Sequence, residues 1–340
     1  VDDLQFGVGL WQGAGINRLR ELSRLVEEVG FDQLWCANHK LYRDMWVSMA
    51  VAAMETSRVR IGSFVAEPYS QHPAQIAAAI ATVDELSDGR AILGIGAGGA
   101  NFRELGIELV APARALAETI QIVRPMLDGE IVDHRGASFT AAEIGLRALS
   151  ARPNVPIVLA SRGDRVLQIA GELADGAMVA TYATPRGLAH GRDMVCIGAE
   201  RAGRDVETIP LYTRVDVSLD ADGRAARDAV RPMIAAMVMA SYPNHAFLDH
   251  AGLELTPQLA EMASHKNETL AFSSGHLVPD EYVSQFAWVG TPDEVAHQIA
   301  AVVDSGFRNV VMVMQPLRTD PEASIRLFAS DVIPRVRALV

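Results

Sequence analysis

Ser63-Phe64-Val65-Ala66-Glu67-Pro68-Tyr69-Ser70-Gln71-His72-Pro73 and, shortly after it, Gly89-Arg90-Ala91-Ile92-Leu93-Gly94-Ile95-Gly96-Ala97-Gly98-Gly99 decide the reading of this chain. Each is an apolar run that ends in polar or glycine-rich residues. The segment between them, Ala74 to Leu86, has helical character. The order is strand, loop, helix, strand, loop. The polar residues gather where strands end, which in parallel α/β proteins is the end that carries chemistry.

The same alternation extends in both directions. Strands are expected at Gln5 to Leu10, Gln33 to Ala37, Arg60 to Ala66, Ala91 to Gly96, Pro156 to Ala160, Gly176 to Val179, Pro210 to Ser218 and Asn309 to Met314. Helical patterns fill most gaps: Asn17 to Val29, with Asn17 as N-cap, Met45 to Thr56, Ala113 to Leu127, Asp164 to Leu173, Arg186 to Ala202, Ala225 to Ala240, Pro292 to Ser305 and Pro321 to Leu339. Eight strands separated by helices predict an α/β fold, a (β/α)8 TIM barrel with insertions, in preference to an open sheet. The 340 residues exceed the roughly 250 of a usual barrel. The surplus falls near 128–155, where Glu130 to Val132 and Ala137 to Phe139 predict a small hairpin, and near 243–290, before the last strand. No linker separates the parts, so residues 1–340 are expected to form a single domain.

Composition narrows the partners. Hydrophobic residues make up 49% of the chain, and the formal net charge is −12 with no basic run. Nucleic acid and anionic membrane surfaces are therefore not expected partners. Two distant cysteines, Cys36 and Cys196, read as core residues. No apolar segment is long enough to span a bilayer and no signal-peptide pattern opens the chain, so a cytoplasmic protein is expected.

The motifs that carry chemistry lie at strand ends. Gly94, Gly96 and Gly99 match a dinucleotide fingerprint, but neither the helix nor the acidic residue that pattern requires follows. Such a loop can still bring backbone N–H groups close to a phosphate or a flat ring, or simply make a tight turn. Asn38-His39 follows the second strand, where the histidine would face the barrel mouth or lie on the surface. Ala160-Ser161-Arg162-Gly163-Asp164-Arg165 ends a strand and opens a helix, a place for an anion or an ordinary cap. His245, Asp249 and His250 lack completing ligands, so no metal is expected. Zincin, α/β-hydrolase and Walker patterns do not occur.

These residues resemble the bacterial-luciferase-like superfamily of flavin and deazaflavin oxidoreductases. Pro68 to Ala74, together with Asp84-Glu85-Leu86-Ser87-Asp88-Gly89-Arg90 and the glycine loop, looks most like its F420-dependent branch, typified by methylenetetrahydromethanopterin reductases. Phe286 to Val295 resembles a further element of the family. The resemblance implies a barrel enzyme that passes hydride to or from coenzyme F420, with FMN and monooxygenation as the alternative. It places the ring in the barrel mouth, backed by a bulge with a non-prolyl cis peptide at Ser63-Phe64, Val65 following. It gives cofactor contacts to Asn38, His39, Ser63, Phe64, Val65, Gly96, Gly98, Gly99, Ala160, Ser161, Arg162 and Gly163. Sugar-phosphate dehydrogenases of the superfamily carry a glutamate where this chain has Gly99. A sugar phosphate is therefore not expected, and the catalytic proton donor is sought in Glu67 or His39.

The substrate is expected to be a small molecule, its pocket shaped by Gly136 to Ala148 and Tyr242 to Gln285. The early helix carrying Met45, Val47, Met49, Ala50, Val51 and Met54 is apolar around more than one face, which predicts a homodimer or higher homo-oligomer. A barrel that only binds a ligand is the third reading; the density of polar residues at several strand ends argues against it.

Overall fold

A computed structural model of the protein describes residues 3–11, 13, 15–99, 101–147, 155–316 and 319–340. Its strands are β1 Gln5–Leu10, β2 Gln33–Ala37, β3 Arg60–Phe64, β4 Ala91–Ile95, β5 Val132–Arg135, β6 Thr140–Ile144, β7 Ile157–Ser161, β8 Gly176–Ala180, β9 Leu211–Leu219, β10 Ala287–Gly290 and β11 Asn309–Met314. Its helices are α1 Ile16–Glu28, α2 Met45–Glu55, α3 Pro73–Leu86, α4 Pro112–Leu127, α5 Asp164–Leu173, α6 Pro185–Arg201, α7 Gly223–Ser241, α8 Ala246–Ala251, α9 Pro257–Ser264, α10 Glu268–Ser273, α11 Asp280–Phe286, α12 Pro292–Val303, α13 Glu322–Leu327 and α14 Ile333–Leu339.

The strand order is β10-β9-β11-β1-β2-β3-β4-β7-β8, and β9 also pairs with β8. The eight strands expected from the sequence thus close into a parallel (β/α)8 barrel. β10, which the alternation did not announce as a strand, pairs with the last residues of β9, from Asp216 to Leu219. Among the described residues no helix is long and apolar enough to cross a membrane.

The chain divides into two compact units. One comprises Val1–Phe6, Val179–Asp193 and Leu211–Val340. It carries β9, β10, β11 and the helical insertion α8 to α11, which falls within the stretch expected near 243–290. Its core holds the fully buried rings of Tyr182, Tyr282, Phe286 and Trp288. The indole N–H of Trp288 donates to the Ala183 carbonyl at 2.9 Å. A buried aromatic with a polar atom needs such a partner.

The other unit comprises Gly7–Met178 and Met194–Pro210. Trp35 on β2 is fully buried. A Cβ on Gly62 would lie 2.2 Å from its ring, one on Gly94 3.0 Å and one on Gly7 3.0 Å. Glycines on β1, β3 and β4 therefore clear the volume that this indole fills, as close packing demands.

Three expectations need correction. Helix α1 is capped by Gly15, not Asn17, and without a side-chain hydrogen bond. The hairpin is present, but Ala137 to Phe139 forms its turn instead of a strand. The reason is Glu118 on α4, whose carboxylate accepts the N–H groups of Ala137, Ser138 and Phe139 at 2.9–3.0 Å. The C-terminal helix is not continuous: a π-helical turn, Phe328–Val332, separates α13 from α14. Pro334 lies just after it and cannot donate to the helical ladder. Residues 148–154 of the expected first insertion lie outside the described residues.

Glu27 on α1 repeats the Glu118 device. Its carboxylate accepts the N–H groups of Ser57, Arg58 and Val59 and the Ser57 hydroxyl at 2.6–3.0 Å. Burial pushes its pKa up, but the bonds from Val59, Arg58 and Ser57 outweigh that and hold it at about 2, against an ordinary 4.5. The folded-state value is depressed, so the stabilisation is fully present above pH 4.5 and disappears as pH falls toward 2. We expect Glu27→Gln to lower the urea midpoint at pH 7 and to lose its effect progressively below pH 4.5. An equal effect at pH 3 and pH 7 would contradict this role for the carboxylate.

Candidate active site

The candidate residues sit at the C-terminal ends of β2, β3, β4 and β7, all in the unit that holds Trp35. The ladder between β3 and β4 pairs Gly62 with Ile92, then resumes where Ala66 meets Ile95. Four steps on β3 thus match three on β4, which defines a β-bulge. The Gly94 carbonyl is the pivot. It accepts the Ser63 hydroxyl at 2.9 Å and the Ala66 N–H at 2.8 Å. The residues between them, Phe64 and Val65, bow out of the ladder.

A non-prolyl cis peptide lies in this bulge, between Phe64 and Val65. The expected place, Ser63-Phe64, is one residue too early. Ser63 is fully buried, and its hydroxyl is engaged with β4 before the extra residue enters. Asn38 buttresses the bulge from β2: its N–H donates to the Phe64 carbonyl at 3.0 Å and its side-chain amide to the Val65 carbonyl at 2.9 Å. The Phe64 ring packs at 6.0 Å from Trp35. The bulge therefore rests on a rigid wall.

The glycine loop follows β4. Gly96 is there for packing, since a Cβ would meet Val65 at 2.8 Å and the Ala160 carbonyl at 3.1 Å. Gly98 and Gly99 have φ of +68° and +127°, a region that disfavours side chains. Beyond Gly99 there is open space, with nothing within 4 Å of a built Cβ. At the β7 end, the Ser161 hydroxyl accepts the Gly163 N–H at 2.9 Å and shapes the turn into α5. Gly163 also borders open space, its nearest neighbour the Ser161 hydroxyl at 3.7 Å. Arg165 pairs with Glu172 at 2.5 Å and is committed to its own helix. Backbone that is open at two adjoining strand ends suits a flat, phosphate-bearing group that must approach closely.

His39 is half-buried, its ring edge-on to Tyr42 at 5.9 Å, and Tyr42 packs on Trp11 at 5.1 Å. Glu67 is fully buried. One of its oxygens accepts the N–H groups of Tyr69 at 2.7 Å and Ser70 at 3.1 Å, and the other accepts the Ser70 hydroxyl. Both oxygens thus serve as acceptors that fold the loop after β3. Burial and the nearby Glu67 carboxylate push the Tyr69 phenol up to about 12. Its hydroxyl keeps its proton and donates to the Val110 carbonyl at 3.1 Å.

Sequence reading missed Lys40, Phe102 and the anchoring role of Asn38. One signal for Lys40 was available: the chain has two lysines, Lys40 and Lys266, among 30 basic side chains.

Residues 4–309 match the model of the luciferase-like monooxygenase family. A 5,10-methylenetetrahydromethanopterin reductase from Archaeoglobus fulgidus is 29% identical over 343 residues, covering 98% of this chain and 100% of that protein. An F420-dependent glucose-6-phosphate dehydrogenase from Amycolatopsis mediterranei is 27% identical, with 96% of each covered. The structure of the coenzyme F420-dependent tetrahydromethanopterin reductase from Methanopyrus kandleri superposes with a TM-score of 0.83 at 26% identity, covering 98% of this chain and 99% of the other.

Proposed function

Because the chain belongs to the luciferase-like monooxygenase family, we propose that it is an oxidoreductase passing hydride between coenzyme F420 and a small organic substrate. Two of the relatives aligned along nearly its whole length are F420-dependent enzymes by name. The observation that carries the reading is the buttressed bulge at Phe64-Val65, set beside a glycine loop that opens at Gly99. The deazaflavin supplies the carbon that accepts or gives up hydride; the protein binds, orients and excludes water.

In this reading Phe64 and Val65 support one face of the ring, and Asn38 and Ser63 hold the bulge in place. The backbone at Gly96, Gly98 and Gly99, with Ala160, Ser161, Arg162, Gly163 and the start of α5, takes the anionic tail. His39, half-buried at a strand end, is the group suited to hold or move a proton. The working form is a homo-oligomer paired through α2, whose Val47 and Met54 are 58% and 73% exposed.

Titrating the protein with F420 and with FMN, each followed by fluorescence, tests the reading. F420 is expected to bind more tightly. Gly99→Val is expected to weaken F420 binding about tenfold or more, while costing the fold only about 1–2 kcal/mol for the unfavourable φ. Light scattering should give a mass above the single-chain 36.6 kDa. Tighter FMN binding with oxygen consumption would move the function to monooxygenation, and a monomer would remove the role assigned to α2.

A further inference from the structure

Three strand-end loops converge on one buried cation. Lys40 directly follows His39. Its side chain is 9% exposed, and that of Glu67, facing it, 0%. The ammonium nitrogen lies 3.4 Å from Glu67 Oε1 and 4.4 Å from the centre of the Phe102 ring. Glu67 in turn organises the loop after β3 through Tyr69 and Ser70. Phe102 belongs to the loop after β4, and the Tyr69 ring meets it at 5.8 Å. A Cβ on Gly98 would stand 2.9 Å from Glu67 Cγ and 3.4 Å from Phe102 Cζ, so the glycine loop rests directly on this stack.

An ammonium over an aromatic face is attracted by the ring quadrupole. A buried ion pair adds little over an apolar pair of the same shape, but removing one partner leaves an uncompensated charge. Burial lowers the Lys40 pKa, and Glu67 opposes that shift. Geometry and charge together mark the pair as a joint between loops.

We propose that Lys40 is a positioning residue: its ammonium joins Glu67 to Phe102 and so holds the glycine loop in the conformation that receives the cofactor. The cofactor's part in this statement rests on the function proposed above; the holding of the loop does not.

The test compares the full-length protein with Lys40→Met, Glu67→Gln and the double variant, by hydrogen–deuterium exchange and by F420 titration. Lys40→Met is expected to speed exchange in the peptides containing Ser70, Gly98 and Phe102 about fivefold or more. It should weaken F420 binding about tenfold and raise the KM for F420 by more than it lowers kcat. Adding Glu67→Gln should loosen these peptides no further, because the joint is then already broken and no buried charge is left alone. Glu67→Gln by itself should loosen the same peptides. Unchanged exchange in Lys40→Met overturns the proposal, as does a double variant whose loosening is the sum of the two single effects. If Lys40→Met does not fold and the double variant does, the charge pair is supported; if neither folds, Lys40 acts by packing and the proposal fails. Failure of the wild type to bind F420 would overturn the cofactor reading alone, and exchange would still decide the role of Lys40.

Discussion

Replacing Arg90 with alanine is expected to cost the fold about 4 kcal/mol. All five of its N–H donors are used. Nε donates to the Ser87 carbonyl at 2.7 Å; Nη1 donates to the Thr56 hydroxyl at 2.9 Å and the Val59 carbonyl at 2.7 Å; Nη2 donates to the Ala53 and Thr56 carbonyls, both at 2.9 Å. These groups lie at the ends of α2 and α3 and in the loop that leads into β3. Glu27 binds the N–H groups of the same loop, at residues 57 to 59. Acceptors and donors of one loop are thus taken by two opposite charges on different elements. Without the guanidinium, four carbonyls lose a charged partner at once, and a methyl group replaces none of them. Lysine would restore the charge but not the planar fork, so Arg90→Lys should recover only part of the loss. Urea denaturation at pH 7 measures this. A loss under about 1 kcal/mol would mean that water takes over the carbonyls, and the loop would have to be held otherwise.

Gly94→Ala is expected to cost about 3 kcal/mol and to weaken cofactor binding about tenfold. The added Cβ would stand 2.1 Å from the Ser63 carbonyl oxygen and 3.0 Å from the Trp35 ring. Neither neighbour is the loose end of a flexible side chain. One is strand backbone and the other a fully buried indole. The strain must push β3 away from β4 at the residue that precedes the Phe64-Val65 bulge. The denaturation midpoint and the F420 affinity of the variant, each set against wild type, measure the two effects. Equal stability of Gly94→Ala and wild type would show that the strands can part without cost, and that packing does not require glycine at this position.

The alternation of strand and helix was readable because period and punctuation are local. Gln5 to Leu10, Gln33 to Ala37 and Asn309 to Met314 coincide with β1, β2 and β11. The candidate site residues could be assigned to strand ends for the same reason, since the polar and glycine residues follow the strands directly. Other features depend on partners distant in sequence. The turn at Ala137 to Phe139 is made by Glu118 on another element. The bulge begins after Ser63, whose hydroxyl is taken by the Gly94 carbonyl 31 residues on, and the cis peptide lies within it at Phe64-Val65. Gly94 looks like a fingerprint glycine in one dimension, yet it and Gly62 serve the volume of Trp35. Asn38 looks like a ligand contact, and its amide also donates to the Val65 carbonyl, 27 residues away. The sequence by itself determined the barrel and the strand ends that carry the candidate residues. The tertiary structure alone decided which polar groups there remain open to a ligand and which are consumed in building the site, because a hydrogen bond is allotted by distance in space and not by distance along the chain.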